Sequence, residues 1–186
     1  QVQLFIPESA SGPKRWQIEM FGAQLERVPG PRSNAAEAVL RTVDSGKIYA
    51  SHAYMPFGLT GIATIAYEIV QSLGKEPGTI LAPVGHGGLL YGVMLGFEAL
   101  LDAGRISKLP FFIGAQAEAC APAVRAFDLG LAVIPEITPG VTLAEGASVA
   151  SPMRAGGILR RMLGGAGRMV SVNEEFIRVA YVLAAR

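Results

Sequence analysis

The chain has 186 residues, 51% of them hydrophobic and 17% charged, with a formal net charge of +1, 23 glycines, 12 prolines and a single cysteine. A chain this apolar can bury enough surface to offset its ordering entropy, which excludes a disordered segment. The balance of 16 Lys+Arg against 15 Asp+Glu excludes the basic footprint of a nucleic-acid binder or a polybasic membrane-surface protein.

One cysteine cannot form an internal disulfide, so Cys120 gives no sign of an oxidising compartment, and a buried, inert thiol is expected. The most apolar run, Leu89 to Leu101, is broken by Glu98 and falls short of the roughly 20 residues that a membrane span needs. The first residues, Gln1-Val-Gln-Leu-Phe-Ile, show no basic leader, so no signal peptide and a cytoplasmic location are expected.

In chain order, Val2 to Ile6 reads as a strand ended by Pro7. Ser11-Gly12-Pro13 opens a helix through Phe21 with Gly22 as its stop, and Ala23 to Val28 is a strand closed by Pro29-Gly30-Pro31. Asn34 to Val43 reads as a helix, Lys47 to Ser51 as a strand, and His52 to Phe57 as a loop holding Pro56. From Gly58 to Leu73, apolar residues at 59, 62, 65, 66, 69, 70 and 73 recur at helical spacing and predict a core-facing helix. Thr79 to Val84 is a buried strand, Gly85-His86-Gly87-Gly88 a turn, and Leu89 to Leu101 an apolar helix. Leu109 to Ala117 is another strand and Pro122 to Phe127 a short helix. Ser151-Pro152 is a suitable N-cap and N1 pair for a helix to about Leu163. Gly164 to Gly167 reads as a flexible break, Arg168 to Val172 as a strand, and Asn173-Glu174-Glu175 as the cap of a last helix. No internal repeat or low-complexity tract is present. Strands alternating with helices predict an α/β class with an open, mainly parallel twisted sheet and flanking helices.

The strongest local signal is Thr79-Ile-Leu-Ala-Pro-Val-Gly-His-Gly-Gly-Leu-Leu-Tyr-Gly, a strand that enters a glycine turn and then a helix. The first amides of such a helix lack intrahelical acceptors, and its dipole is positive there, so a phosphate can lie against them. A Walker loop would need Lys followed by Ser or Thr after its last glycine, and a dinucleotide fingerprint would need Gly or Ala at position 90. Leu89 and Leu90 satisfy neither. A purely structural glycine turn remains an alternative. His86 alone reads as a spacer, and His52 has no partner at metal spacing, so no metal site is expected.

Several segments, taken in order, resemble the fold-type II pyridoxal-phosphate enzymes, a group that includes threonine synthase, cysteine synthase, serine and threonine dehydratases and the tryptophan synthase β chain. They are Val2-Gln-Leu-Phe-Ile-Pro with Lys14 and Phe21-Gly-Ala, Gly61-Ile-Ala-Thr-Ile-Ala-Tyr-Glu-Ile, the glycine turn itself, Ile113-Gly-Ala-Gln-Ala-Glu-Ala-Cys-Ala-Pro, and Thr142-Leu-Ala-Glu-Gly-Ala-Ser-Val-Ala-Ser-Pro-Met-Arg. The resemblance is closest in flavour to threonine synthase and covers nearly the whole chain.

The resemblance implies that Gly85, His86, Gly87, Gly88 and Leu89 offer backbone amides to the phosphate of pyridoxal 5'-phosphate. It places Glu145 and Gly146 near the ring or the substrate, with a capping or salt-bridged role as the alternative for Glu145. It turns Thr60 and Gly61 toward the substrate cavity, with a plain helix start as the alternative for Thr60. It further implies a small amino-acid substrate, β- or γ-elimination or replacement, and a homodimer. It divides the chain into residues 1–46, the last strand–helix–strand and following helix of a smaller domain, and residues 47–186, part of a large cofactor-phosphate-binding domain.

The family also needs a lysine that bonds the cofactor aldehyde. Lys14, Lys47, Lys75 and Lys108 all sit outside the family's lysine pattern, in positions typical of surface charges. No catalytic residue is therefore assigned, the chain reads as incomplete at both ends, and on its own it is expected to be inactive. A dehydratase-like lyase, a noncatalytic module that binds phosphorylated metabolites or a partner domain, and a scaffold with purely structural glycines stay open as alternatives.

Overall fold

A computed structural model describes every residue except Gln1, Ser11, Pro31, Asp44, Ser45, His52, Pro56 and Arg186. The chain divides into two compact units, Gln1–Ser51 and His52–Arg186.

In the first unit, β1 (Gln3–Pro7) leads through α1 (Gly12–Met20) to β2 (Gln24–Val28), and the two strands pair in parallel with Leu4 opposite Leu25. A parallel pair needs such a crossover, because its strand ends lie at opposite edges. Gly22, at φ +73°, makes the left-handed turn out of α1 that the sequence anticipates. Helix α2 (Arg32–Val43) follows and packs on β1. The expected start of α1 at Ser11, the closing Pro31, and His52 and Pro56 of the expected loop lie outside the described residues.

One expectation fails here. Residues 47–51 form no strand; they line an open cleft beside β1. Lys47 Nζ donates to Gln3 Oε1 at 2.6 Å, and Ile48 is 94% exposed. The β-branched and aromatic residues imitate a strand, yet a strand exists only with a backbone ladder, and here a side chain makes the contact.

The second unit carries a three-stranded parallel sheet in the order β3 (Thr79–Pro83), β4 (Phe111–Ala117), β5 (Gly167–Val172). Ile80 faces Phe112 in the ladder, and Gly114 faces Met169. Around the sheet lie α3 (Gly58–Leu73), α4 (Gly88–Asp102), α5 (Pro122–Asp128), α6 (Ala155–Arg161) and α7 (Glu174–Ala184). The centre of the core is Phe97 of α4 edge-on to Phe112 of β4, with ring centroids 6.1 Å apart, surrounded by Leu90, Met94, Ile158, Leu159 and Met162. Each of these fully buried side chains contributes about 1.5–3 kcal/mol of transfer free energy.

Helix α3 packs closely on α4 at two glycines of α4. A Cβ on Gly92 would lie 2.6 Å from Ile62 Cγ2, and one on Gly96 would strike the Ala63 carbonyl and come 2.8 Å from Ala66 Cβ. Glycine at both positions is what lets the two axes approach this closely.

Two boundaries in the last third differ from expectation. Helix α6 starts at Ala155, not at Ser151-Pro152, because the Arg154 N–H is committed to the His86 carbonyl (2.9 Å) and a turn from Ala155 N–H to Pro152 O comes first. Its end at Arg161 is also earlier than expected. The chain then widens into a π-helical turn, Met162–Ala166, containing Gly165 at φ +95°. The expected break at Gly164 to Gly167 is thus a defined connection into β5. Asn173 caps α7 as expected, its Oδ1 accepting the Phe176 N–H at 2.9 Å.

Candidate cofactor-phosphate site

The C-terminal ends of β3 and β4 meet the N-terminus of α4, where an open parallel sheet presents ligands to helix amides. The Val84 N–H closes the ladder on Ala115 O at 2.8 Å, and helical bonding resumes with Tyr91 N–H to Gly87 O at 3.0 Å. Gly85, His86, Gly87, Gly88 and Leu89 lie between, as the sequence anticipates. Gly87 is the N-cap, with φ +87° and ψ 1°, and no side chain caps the helix. The amides that open this 15-residue helix are of the kind that an anion can accept.

The loop is fixed from three sides. Gln116 of β4, only 2% exposed, donates from Nε2 to Val84 O at 3.0 Å. Its Oε1 accepts the Ala123 and Val124 N–H groups at 2.8 and 3.2 Å, joining the end of β3 to the start of α5. From the second side, the His86 carbonyl accepts the Arg154 N–H. A Cβ on Gly87 would lie 2.9 Å from Ile158 Cδ1 and 3.3 Å from Arg154 Cβ. A side chain at Gly87 would therefore have to adopt a left-handed backbone and displace the tip of Ile158, whereas Gly85 and Gly88 have ordinary room for a Cβ. His86 is half-buried and Leu89 is 42% exposed.

On the third side, the short 3₁₀ turn Glu145–Ala147 runs beside the loop. A Cβ on Gly85 would lie 3.5 Å from Ala147 Cα and 3.7 Å from the Gly146 carbonyl, so the fold brings Gly146 to the glycine turn. Glu145 is exposed and makes no ion pair among the described residues. Upstream, Thr142 is 7% exposed and its Oγ1 accepts the Ala144 N–H at 3.0 Å. The Leu143 N–H donates to Glu174 Oε2 at 2.9 Å. The Thr142 side chain and the Leu143 amide hold the Glu174 carboxyl below the ordinary glutamate range, with Arg178 adding a smaller effect against slight desolvation.

Thr60 and Gly61 lie on the first turn of α3, next to Leu59 and Ile62, which abut Gly92 and Gly88. Both are exposed, and the Thr60 hydroxyl donates back to Phe57 O at 2.6 Å, helping to start the helix.

Behind the loop, Glu98 and Arg161 pair in a two-pronged geometry, Nε to Oε1 at 2.5 Å and Nη2 to Oε2 at 2.8 Å. The guanidinium lies 5.0 Å from the Tyr91 ring centre. This pairing raises the Arg161 pKa and ties α4 to α6. The anchoring roles of Gln116, Arg154 and Glu174 were not anticipated from sequence. A lone glutamine inside an apolar strand was the available signal for the first; the others act through tertiary contacts without a local signature.

Lys75 and Lys108 are exposed and precede β3 and β4. Both lie at the edge of the sheet opposite the glycine loop, and five residues of β3 rise about 16 Å between the two edges. Cys120 is buried. Among the described residues, no group of three or more His, Cys, Asp and Glu could hold a metal ion, and no helix is long and apolar enough to cross a membrane.

This arrangement of sheet, glycine turn and helix coincides with a family match over residues 1–186, and the chain belongs to the pyridoxal-phosphate dependent enzymes. Threonine synthase of Methanocaldococcus jannaschii is 31% identical over 172 residues, which are 91% of this chain and 42% of that protein. Threonine synthase of Methanosarcina acetivorans is 32% identical over the same length and shares. The chain spans about two fifths of the length of these curated relatives. Among solved structures, the threonine deaminase of T.th. superposes with a TM-score of 0.72 at 25% identity, covering 93% of this chain and 54% of that one. Maize serine racemase superposes with a TM-score of 0.75 at 17% identity, covering 93% and 49%. The α/β class with parallel strands and flanking helices is thereby shown.

Proposed function

We propose that this chain forms the phosphate-binding part of a pyridoxal-phosphate enzyme of amino-acid metabolism with threonine synthase-like chemistry, elimination or replacement at the β- or γ-carbon of a small amino acid. The observation that carries this reading is Gly87: a left-handed N-cap, where a side chain would strain the backbone and press on Ile158, opening a 15-residue helix at the C-terminal edge of the sheet.

In this reading the amides of Gly85, His86, Gly87, Gly88 and Leu89 bind the cofactor phosphate. Gly146 and Glu145 border the ring or substrate, and Thr60 and Gly61 form the substrate side. Bound there, pyridoxal phosphate supplies an electron sink for bonds broken at the substrate α-carbon. The protein groups named here bind and orient. None of Lys14, Lys47, Lys75 and Lys108 bonds covalently to the cofactor, and the 186 residues alone do not turn over substrate. The first unit, Gln1–Ser51, belongs to a smaller domain and the second to the large one, a boundary five residues beyond the 46/47 division that the resemblance implies. The enzyme works in the cytoplasm, a placement supported by the single cysteine, and as a pair of like chains, which rests on the resemblance of the sequence to its family. A dehydratase-like lyase is the second reading, favoured by the likeness to the threonine deaminase of T.th. described above.

Titration of the chain with pyridoxal phosphate, with inorganic phosphate as competitor, tests the binding. Saturable binding that phosphate displaces is expected, and binding that ignores phosphate overturns the reading. Borohydride treatment followed by peptide mapping tests the lysines, and a stoichiometric pyridoxyl label on one of the four overturns their exclusion. Release of ammonia from L-threonine or L-serine by the chain overturns the claim of no turnover and selects the lyase reading.

A further inference from the structure

The segment that borders the glycine loop is anchored from a helix on the far side of the last strand. Leu143 N–H donates to Glu174 Oε2 at 2.9 Å, Ala144 N–H donates to Thr142 Oγ1 at 3.0 Å, and the next residues form the turn that puts Gly146 beside Gly85. Glu174 opens α7 directly after β5. Its carboxylate therefore reaches across to a stretch, residues 142–147, with no strand or α-helix of its own.

We propose that Glu174 is a positioning residue for the phosphate cup: by holding Leu143 it fixes where Gly146 and Ala147 stand against Gly85, and so how closely that wall approaches the bound phosphate. The last step rests on the phosphate-binding reading above; the anchoring itself does not.

An irregular segment is ordered only as far as its hydrogen bonds order it. The Leu143 bond has a charged acceptor, the stronger kind. The turn downstream has two weaker backbone bonds, Ala147 N–H to Ala144 O at 2.9 Å and Ser148 N–H to Glu145 O at 3.2 Å. Glu175, its neighbour in the first turn of α7, is exposed. It shares the helix-dipole effect with Glu174 and supplies the control for a role confined to α7 stability.

The test compares Glu174→Ala, Glu174→Gln and Glu175→Ala by two measurements on the 186-residue chain. Amide hydrogen exchange without ligand reads the anchor. Exchange at Leu143, Ala147 and Ser148 is expected to rise about tenfold in Glu174→Ala, to stay within about threefold in Glu174→Gln, whose amide oxygen still accepts, and to be unchanged in Glu175→Ala. Equal acceleration in Glu174→Ala and Glu175→Ala, or none in either, overturns the anchor. Pyridoxal phosphate titration reads the coupling. A loss of about three- to tenfold in affinity for Glu174→Ala, restored in Glu174→Gln, is expected from the loss of a single fixed wall. Faster exchange with unchanged affinity overturns the positioning role. If the unaltered chain binds no pyridoxal phosphate, the functional reading fails and the positioning role fails with it, while the exchange data still decide the anchor.

Discussion

Gln116 Nε2 donates to the Val84 carbonyl at 3.0 Å, and this one bond connects the buried centre of the sheet to the last residue before the glycine turn. Because the same side chain accepts from Ala123 and Val124, replacing it strands three buried backbone groups. Gln116→Leu is expected to lower stability by about 2–4 kcal/mol, measured by urea unfolding, and to weaken pyridoxal phosphate binding. A change below about 1 kcal/mol would show that water or a neighbour satisfies those groups.

Gly87 combines a left-handed backbone with a blocked Cβ direction. Gly87→Ala is expected to cost about 1–3 kcal/mol of stability and at least about tenfold in pyridoxal phosphate affinity, because the amides that face the phosphate tilt away. Gly104, also at positive φ but with nothing within 4 Å of its Cβ direction, is the control: Gly104→Ala should cost stability and leave the affinity unchanged.

The Glu98–Arg161 pair is partly exposed, with side-chain exposures of 32% and 26%, so solvent screens it. A double-mutant cycle with Glu98→Ala and Arg161→Ala is expected to give a coupling of about 0.5–1 kcal/mol. Tyr91→Leu should reduce that coupling slightly through loss of the cation–π contact.

Acid should weaken the Glu174 anchor without abolishing it, because a protonated carboxyl still offers an acceptor oxygen. Its folded-state pKa lies below the unfolded value, so its contribution is complete above the ordinary glutamate pKa of about 4.3 and fades as pH falls through the lowered folded value. The groups facing it are Thr142, the Leu143 amide and Arg178. Hydrogen exchange at Leu143, corrected for the intrinsic pH dependence, should rise as the pH falls through the lowered folded value by no more than the change that Glu174→Gln causes at neutral pH, and should stay flat in Glu174→Gln.

Most of the second unit was legible in the sequence because its signals are local. The helical spacing of Leu59 to Leu73 returned α3 with both expected bounds, and the glycine turn marked the β3–α4 junction. Lys47 to Ser51 misled because side-chain type speaks for a strand while only a neighbouring backbone can make one. Ser151-Pro152 misled for the opposite reason. The local cap was adequate, but the Arg154 amide had a better use on the distant His86 carbonyl. The anchors of the candidate site are long-range contacts of the same kind, which residue spacing cannot reveal.

The meeting of α3 and α4 also constrains how this site can change over generations. With glycine at 92 and 96, α4 has no side chain there to trim, and any addition drives the helices apart. Adjustment of the interface is left to Ile62, Ala63 and Ala66 of α3, where two alanines are already near the minimum. The wall formed by residues 142–147, held by hydrogen bonds to Thr142 and Glu174 rather than by a helix, is the side of the glycine turn that side-chain changes can alter without parting α3 from α4.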